Sequence, residues 1–318
     1  MFTTPSGSQK VGGLRAVAPI SLPDFINHQV VLALRPGPEE TRYVVRMARA
    51  EMVAGHAQRA RVQKTVGLRV AHHGAGLRLT LRTQHPHLQK STLYPFDEVL
   101  LVVAELYADL VFDADPTGRL RQLVNHEEVG QQWQRLRQEL AHRYAAMPDD
   151  MLARMVARVD QQLAQPAGLW PSLRPDYLYA ALPGDFYQQL FETNSRYTQA
   201  KVFPQFLGLL DLHFVETLRL APPESRAPGE LPTQAVLQLT GALDPTATDV
   251  PGVAAAIQAA LGRTAPVVPE EVQFAYEATH CFDRSTGRPV AVKLTVSCTY
   301  QNLYHREYYL TIQAEPAV

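Results

Sequence analysis

The chain has 318 residues, 46% of them hydrophobic, with 30 basic and 31 acidic side chains and a formal net charge of −1. At this length roughly three quarters of the extended surface leaves water on folding, so a substantial core forms without disulfide or metal support. Disorder, collagen-like repeats and small disulfide scaffolds are excluded. The balanced charge argues against a nucleic-acid footprint.

The start, MFTTPSGSQKVGGLRAVA, is rich in Gly, Ser and Pro and predicts a flexible arm over residues 1–18. It carries no export pattern, and nowhere does an apolar run reach the length of a membrane span. The cytoplasm is the default compartment, with export left open. From 29 to 124 the pattern predicts an antiparallel meander. QVVLALR ends at Pro36-Gly37-Pro38, and TRYVVRMARAEM continues past Gly55 to Val70. After a turn at His72 to Gly76, Leu77, Leu79 and Leu81 alternate with Arg78, Thr80 and Arg82. FDEVLLVVAELY (96–107) fits a helix laid on the sheet, and its β-branched content fits a strand almost as well. Strands 108–113 and 119–124 then flank the turn Asp115-Pro116-Thr117-Gly118.

Asn125 and Glu128 make a capping box for an amphipathic helix that aligns Val129, Trp133, Leu136, Leu140 and Tyr144 on one face. A second helix follows Pro148-Asp149-Asp150, and prolines 171, 175 and 183 cut the chain to about residue 200 into helical pieces. Alternation over 210–220 and 235–243 predicts strands on either side of the proline-rich loop 222–232. Asp249 caps a short Ala-rich helix that Gly262 ends. Three strands close the chain, over 272–282, 290–300 and 303–313, with Asp283-Arg284-Ser285-Thr286-Gly287 turning the first hairpin.

The expected organisation is a flexible arm (1–18), a sheet unit ending in an amphipathic helix (19–147), a helical segment (148–202) and a second sheet unit with one short helix (203–318). The fold class is α+β: antiparallel sheets, flat or curved, with a central helical segment packed against them. The related turns DPTG and DRSTG point to two sheet-bearing halves. Long strands, inserted helices and such hairpins are faintly similar to the pattern of bacterial proteins with curved half-barrel sheets; the similarity names no family and carries no residue role.

No chemical motif is specific. There is no HExxH, no G-x-S-x-G elbow and no phosphate-binding glycine loop, and no cofactor is expected. His280 and Cys281 are adjacent in a strand and so face opposite ways. Cys281 and Cys298 read as ordinary reduced thiols. A metal-dependent hydrolase is one alternative, with His72, His85 and His87 as ligands. The aromatics Trp133, Trp170, Tyr177, Tyr187, Tyr304 and Tyr308 define a candidate ligand or partner surface. They would line a groove between sheet and helices for a lipid or small apolar ligand, or simply fill the core. The leading expectation is a non-enzymatic binding or assembly protein. It would contact a protein partner, or a second copy of itself, through that groove or through an exposed edge of the C-terminal hairpin.

Overall fold

A computed structural model describes residues 28–90, 95–144, 149–164, 173, 176–182, 184, 186–222, 232–262 and 266–316. The expected N-terminal arm, Trp170 and most of the proline-rich loop lie outside them. Helices α1 (Pro95–Ala104), α2 (His126–Arg143), α3 (Asp149–Leu163), α4 (Leu178–Ala181) and α5 (Val250–Leu261) accompany thirteen strands. The strands of the first half are β1 (Gln29–Val31), β2 (Gly37–Val53), β3 (His56–His73), β4 (Gly76–Lys90), β5 (Asp109–Ala114) and β6 (Leu120–Leu123). Those of the second are β7 (Leu190–Glu192), β8 (Arg196–Leu207), β9 (Leu210–Leu220), β10 (Gln234–Leu243), β11 (Val272–Asp283), β12 (Pro289–Tyr300) and β13 (Tyr304–Ala314).

Eleven of these strands form one antiparallel sheet in the order β6-β5-β4-β3-β2-β13-β12-β11-β10-β9-β8, and β1 pairs separately with β7. The architecture is therefore mainly β, dominated by this sheet, rather than a balanced α+β fold. The two halves are joined by β13 pairing with β2, with Leu310 opposite Met47. Read from β8, the order is a plain meander that crosses between β13 and β2. Each neighbouring pair but that one is closed by a local connection, and the helical stretch after β6 returns the chain to the opposite edge.

Three aspartates fasten the turns by the same chemistry. Asp115 Oδ1 accepts from the Thr117 amide and hydroxyl, Asp283 Oδ1 from the Thr286 amide and hydroxyl, and Asp244 Oδ1 from the Thr246 amide and hydroxyl. Partial burial opposes ionisation of Asp115 and Asp283, but these hydrogen bonds outweigh it and hold both carboxyls below their usual value. Gly287 has φ 69°, and a Cβ there would meet the Ala33 carbonyl at 2.1 Å, so only glycine lets the second turn close onto the segment before β2.

One face of the sheet is buried. Val45, Val66, Leu68, Leu79, Phe112, Leu218, Leu239, Leu294 and Leu310 lie on it, and Trp133, Leu140, Phe186 and Tyr187 from the intervening segments complete the core. Two ion pairs tie the helical segments to this inner face: Lys64 Nζ to Asp176 Oδ2 at 3.2 Å, and Lys90 Nζ to Asp97 Oδ1 at 2.9 Å.

Several local expectations change. The chain from 190 to 202 is not helical: it forms β7 and the start of β8. Gln199 and Lys201 sit on the inner face of β8 between Tyr197 and Phe203, and these polar residues hide the alternation of an edge strand. The segment 96–107 resolves as α1 followed by a 3-10 turn, Glu105–Tyr107. Asn125 makes no side-chain cap. Its amide instead bridges back to β5, accepting from the Val111 amide and donating to the Asp109 carbonyl, both at 2.9 Å. Asp249 does cap α5, accepting from the Gly252 amide at 2.9 Å, and Gly262 ends it in the left-handed region.

Candidate ligand trough on the exposed sheet face

Because side chains alternate along a strand, the registers fix which residues share the uncovered face. One row runs Arg196 (β8), Arg219 (β9), Gln238 (β10), Thr279 (β11), Lys293 (β12), Thr311 (β13), Arg46 (β2), Gln63 (β3) and His87 (β4). It contains cations and neutral polar groups and no carboxylate. The next row, Thr198, Thr217, Thr240, Glu277, Thr295 and Tyr309, is mostly hydroxyl. Arg196, Arg219, Thr279, Lys293 and Arg46 are exposed.

Across β8 to β12 these two rows line a trough of about 620 Å³, walled by Arg196, Arg219, Lys293, Thr217, Thr240 and Glu277. Arg219 is oriented within it: its Nη2 donates to Gln238 Oε1 at 2.6 Å. Arg196 and Arg219 are direct cross-strand partners. Neither has a carboxylate within 4 Å among the described residues. Such a trough offers planar, forked donors and hydroxyls to an anionic group.

The residues singled out from the sequence lie elsewhere. His72 pairs with Leu77 and His87 with Gln63. Nine residues of extended β3 separate those positions, about 30 Å, too far for one metal ion. Instead of loops, the histidines occupy strands. His85 sits at a bulge in β4 with φ 52°, and Pro86 is tolerated because β5 pairs only with residues 77 to 82 of that strand. Among the described residues no cluster of three metal-ligating side chains occurs.

The aromatic group divides. Tyr177 and Tyr308 meet on the inner face, edge-on at 4.5 Å, and Tyr304 lies four residues along β13 from Tyr308. Tyr304 donates to Glu51 Oε1 at 2.8 Å, and the same oxygen accepts from Arg306 at 3.2 Å. Burial first, then the Glu51 charge, pushes the Tyr304 hydroxyl far above its ordinary pKa. Tyr187 is packed against Phe282. Trp133 donates to Asp160 Oδ1 at 2.8 Å and, with His126 and Leu163, walls a cleft between α2 and α3. Apart from Tyr308, which is half-buried, these described aromatics are core side chains. The C-terminal hairpin offers no free edge either, since β12 and β13 lie between β11 and β2; the sheet ends at β6 and β8.

Behind the trough the inner face holds another polar set. Glu216 is fully buried and accepts from Gln199 Nε2 at 2.5 Å and from the Tyr276 hydroxyl. Gly241 lies directly between Tyr276 and Glu216 across the strands, and a Cβ there would meet the Tyr276 ring at 2.5 Å. The glycine thus lets the ring cross β10 to reach the carboxylate. His280 is buried between Phe186 and Phe282, its Nδ1 without a hydrogen-bond partner among the described residues; burial, with Lys201 nearby, lowers its pKa to about 3, so the ring stays neutral. Cys298 is likewise inert, its thiol pushed up to about 12 by burial.

The trough residues escaped sequence reading because each is an ordinary outward position of a strand. The triplet Leu218-Arg219-Leu220 shows that Arg219 faces out, but only register places it beside Arg196. Compared with known proteins, the chain matches no family model and no curated protein.

Proposed function

We propose that this chain is a non-enzymatic binding or assembly protein that holds an anionic segment of a protein partner against the exposed face of its sheet. The observation that supports the reading is the acid-free row from Arg196 to His87, in a chain whose total charge is nearly balanced. A sheet surface selected for stability alone would set opposite charges across from one another. The contact lies on the face rather than at the C-terminal hairpin, whose two edges are already paired.

Fluorescence anisotropy with a labelled Glu/Gly decapeptide, and a Lys/Gly decapeptide as control, tests it. The acidic peptide binds and the basic one does not, and affinity falls about tenfold or more from low to physiological salt. The double substitution Arg219→Glu with Lys293→Glu abolishes binding while the thermal transition is kept. Equal binding of both peptides, or acidic binding that survives the double substitution, overturns the reading.

A further inference from the structure

The same trough carries a more specific feature, and the inference from it rests on the binding reading above. We propose that Arg196 and Arg219 form a clamp for a single phosphoryl group, presented on a phosphorylated side chain of an extended peptide.

The two guanidinium groups belong to residues directly opposite one another at the β8 edge of the sheet, both exposed. Like charges in that relation destabilise a sheet. No carboxylate among the described residues lies close enough to relieve them, whereas on the same face of the first half Arg78 pairs with Asp113, and Arg82 with Asp109 and Glu40. An anion from outside removes the repulsion. Two forked cations match a phosphomonoester better than a carboxylate, because the dianion balances both charges and its three terminal oxygens accept from both forks.

The surroundings fit a group on a larger body. Gln238 holds Arg219 from one side. Thr217 and Thr240, on the adjacent row, present hydroxyls to the same space. The trough, about 620 Å³, exceeds what a phosphoryl group alone fills, leaving room for the chain that bears it. Glu277 stands two strands beyond Thr217, about 10 Å away, and disfavours a second anion there. Lys293 lies three strands from Arg219, about 14 Å, outside the reach of one phosphoryl group. The site therefore selects one phosphoryl group on an otherwise neutral or weakly charged segment, and Lys293 is left to general attraction.

Isothermal titration of the full chain with three neutral decapeptides, identical except for a central phosphoserine, glutamate or serine, reads this out. The phosphoserine peptide binds at least about tenfold tighter than the glutamate peptide, and the serine peptide hardly binds. Inorganic phosphate competes. Arg196→Gln and Arg219→Gln each remove the phosphoserine preference, whereas Lys293→Gln weakens all anionic peptides alike. Each variant is checked by its thermal transition, which stays level or rises because a like-charge pair is relieved. Equal affinity for the phosphoserine and glutamate peptides sinks the clamp. If the Glu/Gly decapeptide still binds in that case, the binding reading stands; if neither peptide binds, both fall. Binding to phosphatidic acid vesicles in the absence of any phosphopeptide binding overturns the peptide source.

Discussion

The two halves of the eleven-stranded sheet handle charge in opposite ways. Across β4 and β5, arginines on the exposed face meet carboxylates on the next strand, Arg78 with Asp113 at 3.0 Å and Arg82 with Asp109 at 3.3 Å, and lysines on the inner face of β3 and β4 meet carboxylates from the helical segments. In β8 to β12, the exposed face sets Arg196 against Arg219, and the inner face buries Glu216 against Gln199 and Tyr276 and His280 against aromatic rings, with no ion pair among the described residues. The first half is organised as a sheet that anchors its helices. The second leaves two arginines opposite one another on its exposed face and buries its polar groups on the other without an ion pair among the described residues.

This contrast is sharpest under acid. His280 has a folded pKa of about 3 against an ordinary value of 6.5, so the unfolded chain binds a proton that the folded chain refuses between those values. Stability is therefore complete above pH 6.5 and falls as the pH drops toward 3, by an amount on the order of a few kcal/mol. His280→Phe flattens the urea midpoint against pH over that window. Asp113 behaves as the paired half requires: burial opposes it, but hydrogen bonds from Arg78 and Gln122 and the Arg78 charge lower its pKa below 3.8. Its contribution is whole above pH 3.8, through most of the His280 window, and begins to fade only at the acid end of it. A midpoint independent of pH from 7 to 4 in the wild-type chain would contradict the neutral burial of His280.

The next largest effect is in the paired half. Lys64 is buried and its partner Asp176 half-buried, so Asp176→Ala leaves a nearly buried ammonium without its anion and costs about 2 kcal/mol in chemical denaturation. Lys64→Met, which removes the charge and keeps the volume, costs much less; equal losses would mean the pair matters only through packing.

A substitution at the trough separates stability from binding. Arg196→Glu replaces a like-charge cross-strand pair with an opposite-charge one, stabilising the fold by about 0.5–1 kcal/mol while binding of anionic peptides disappears. A fall in the melting temperature would show that the arginine pair is already relieved within the fold. The matching change on the paired half, Arg78→Ala, goes the other way by about 0.5 kcal/mol and leaves peptide binding intact.

Much of the fold could be read along the chain. Period-two alternation and turn residues together located β2 to β6 and β9 to β13, the α2 face was legible from Val129, Trp133, Leu136 and Leu140, and Asp249 and Gly262 marked both ends of α5. Each of these signals is local, set by side-chain period or by one cap residue. The readings that failed depended on partners distant in sequence. Asn125 looked like a cap because of Glu128, yet its amide is taken by β5. The amino end of β8 looked helical because Gln199 and Lys201 face inward, Gln199 being held by Glu216 seventeen residues on.

The sequence by itself determined an antiparallel, mainly hairpin-built protein with an inserted helical stretch and aspartate-threonine turns, since alternation and turn chemistry act within a few residues. Only the tertiary structure decided that the two sheet-bearing halves are one sheet, because β13 meets β2 across almost the whole chain. The same long-range register decided the candidate site. Arg196, Arg219 and Lys293 are unremarkable outward residues until the pairing of five consecutive strands, β8 to β12, brings them onto one row, and a cross-strand row has no trace in a one-dimensional pattern.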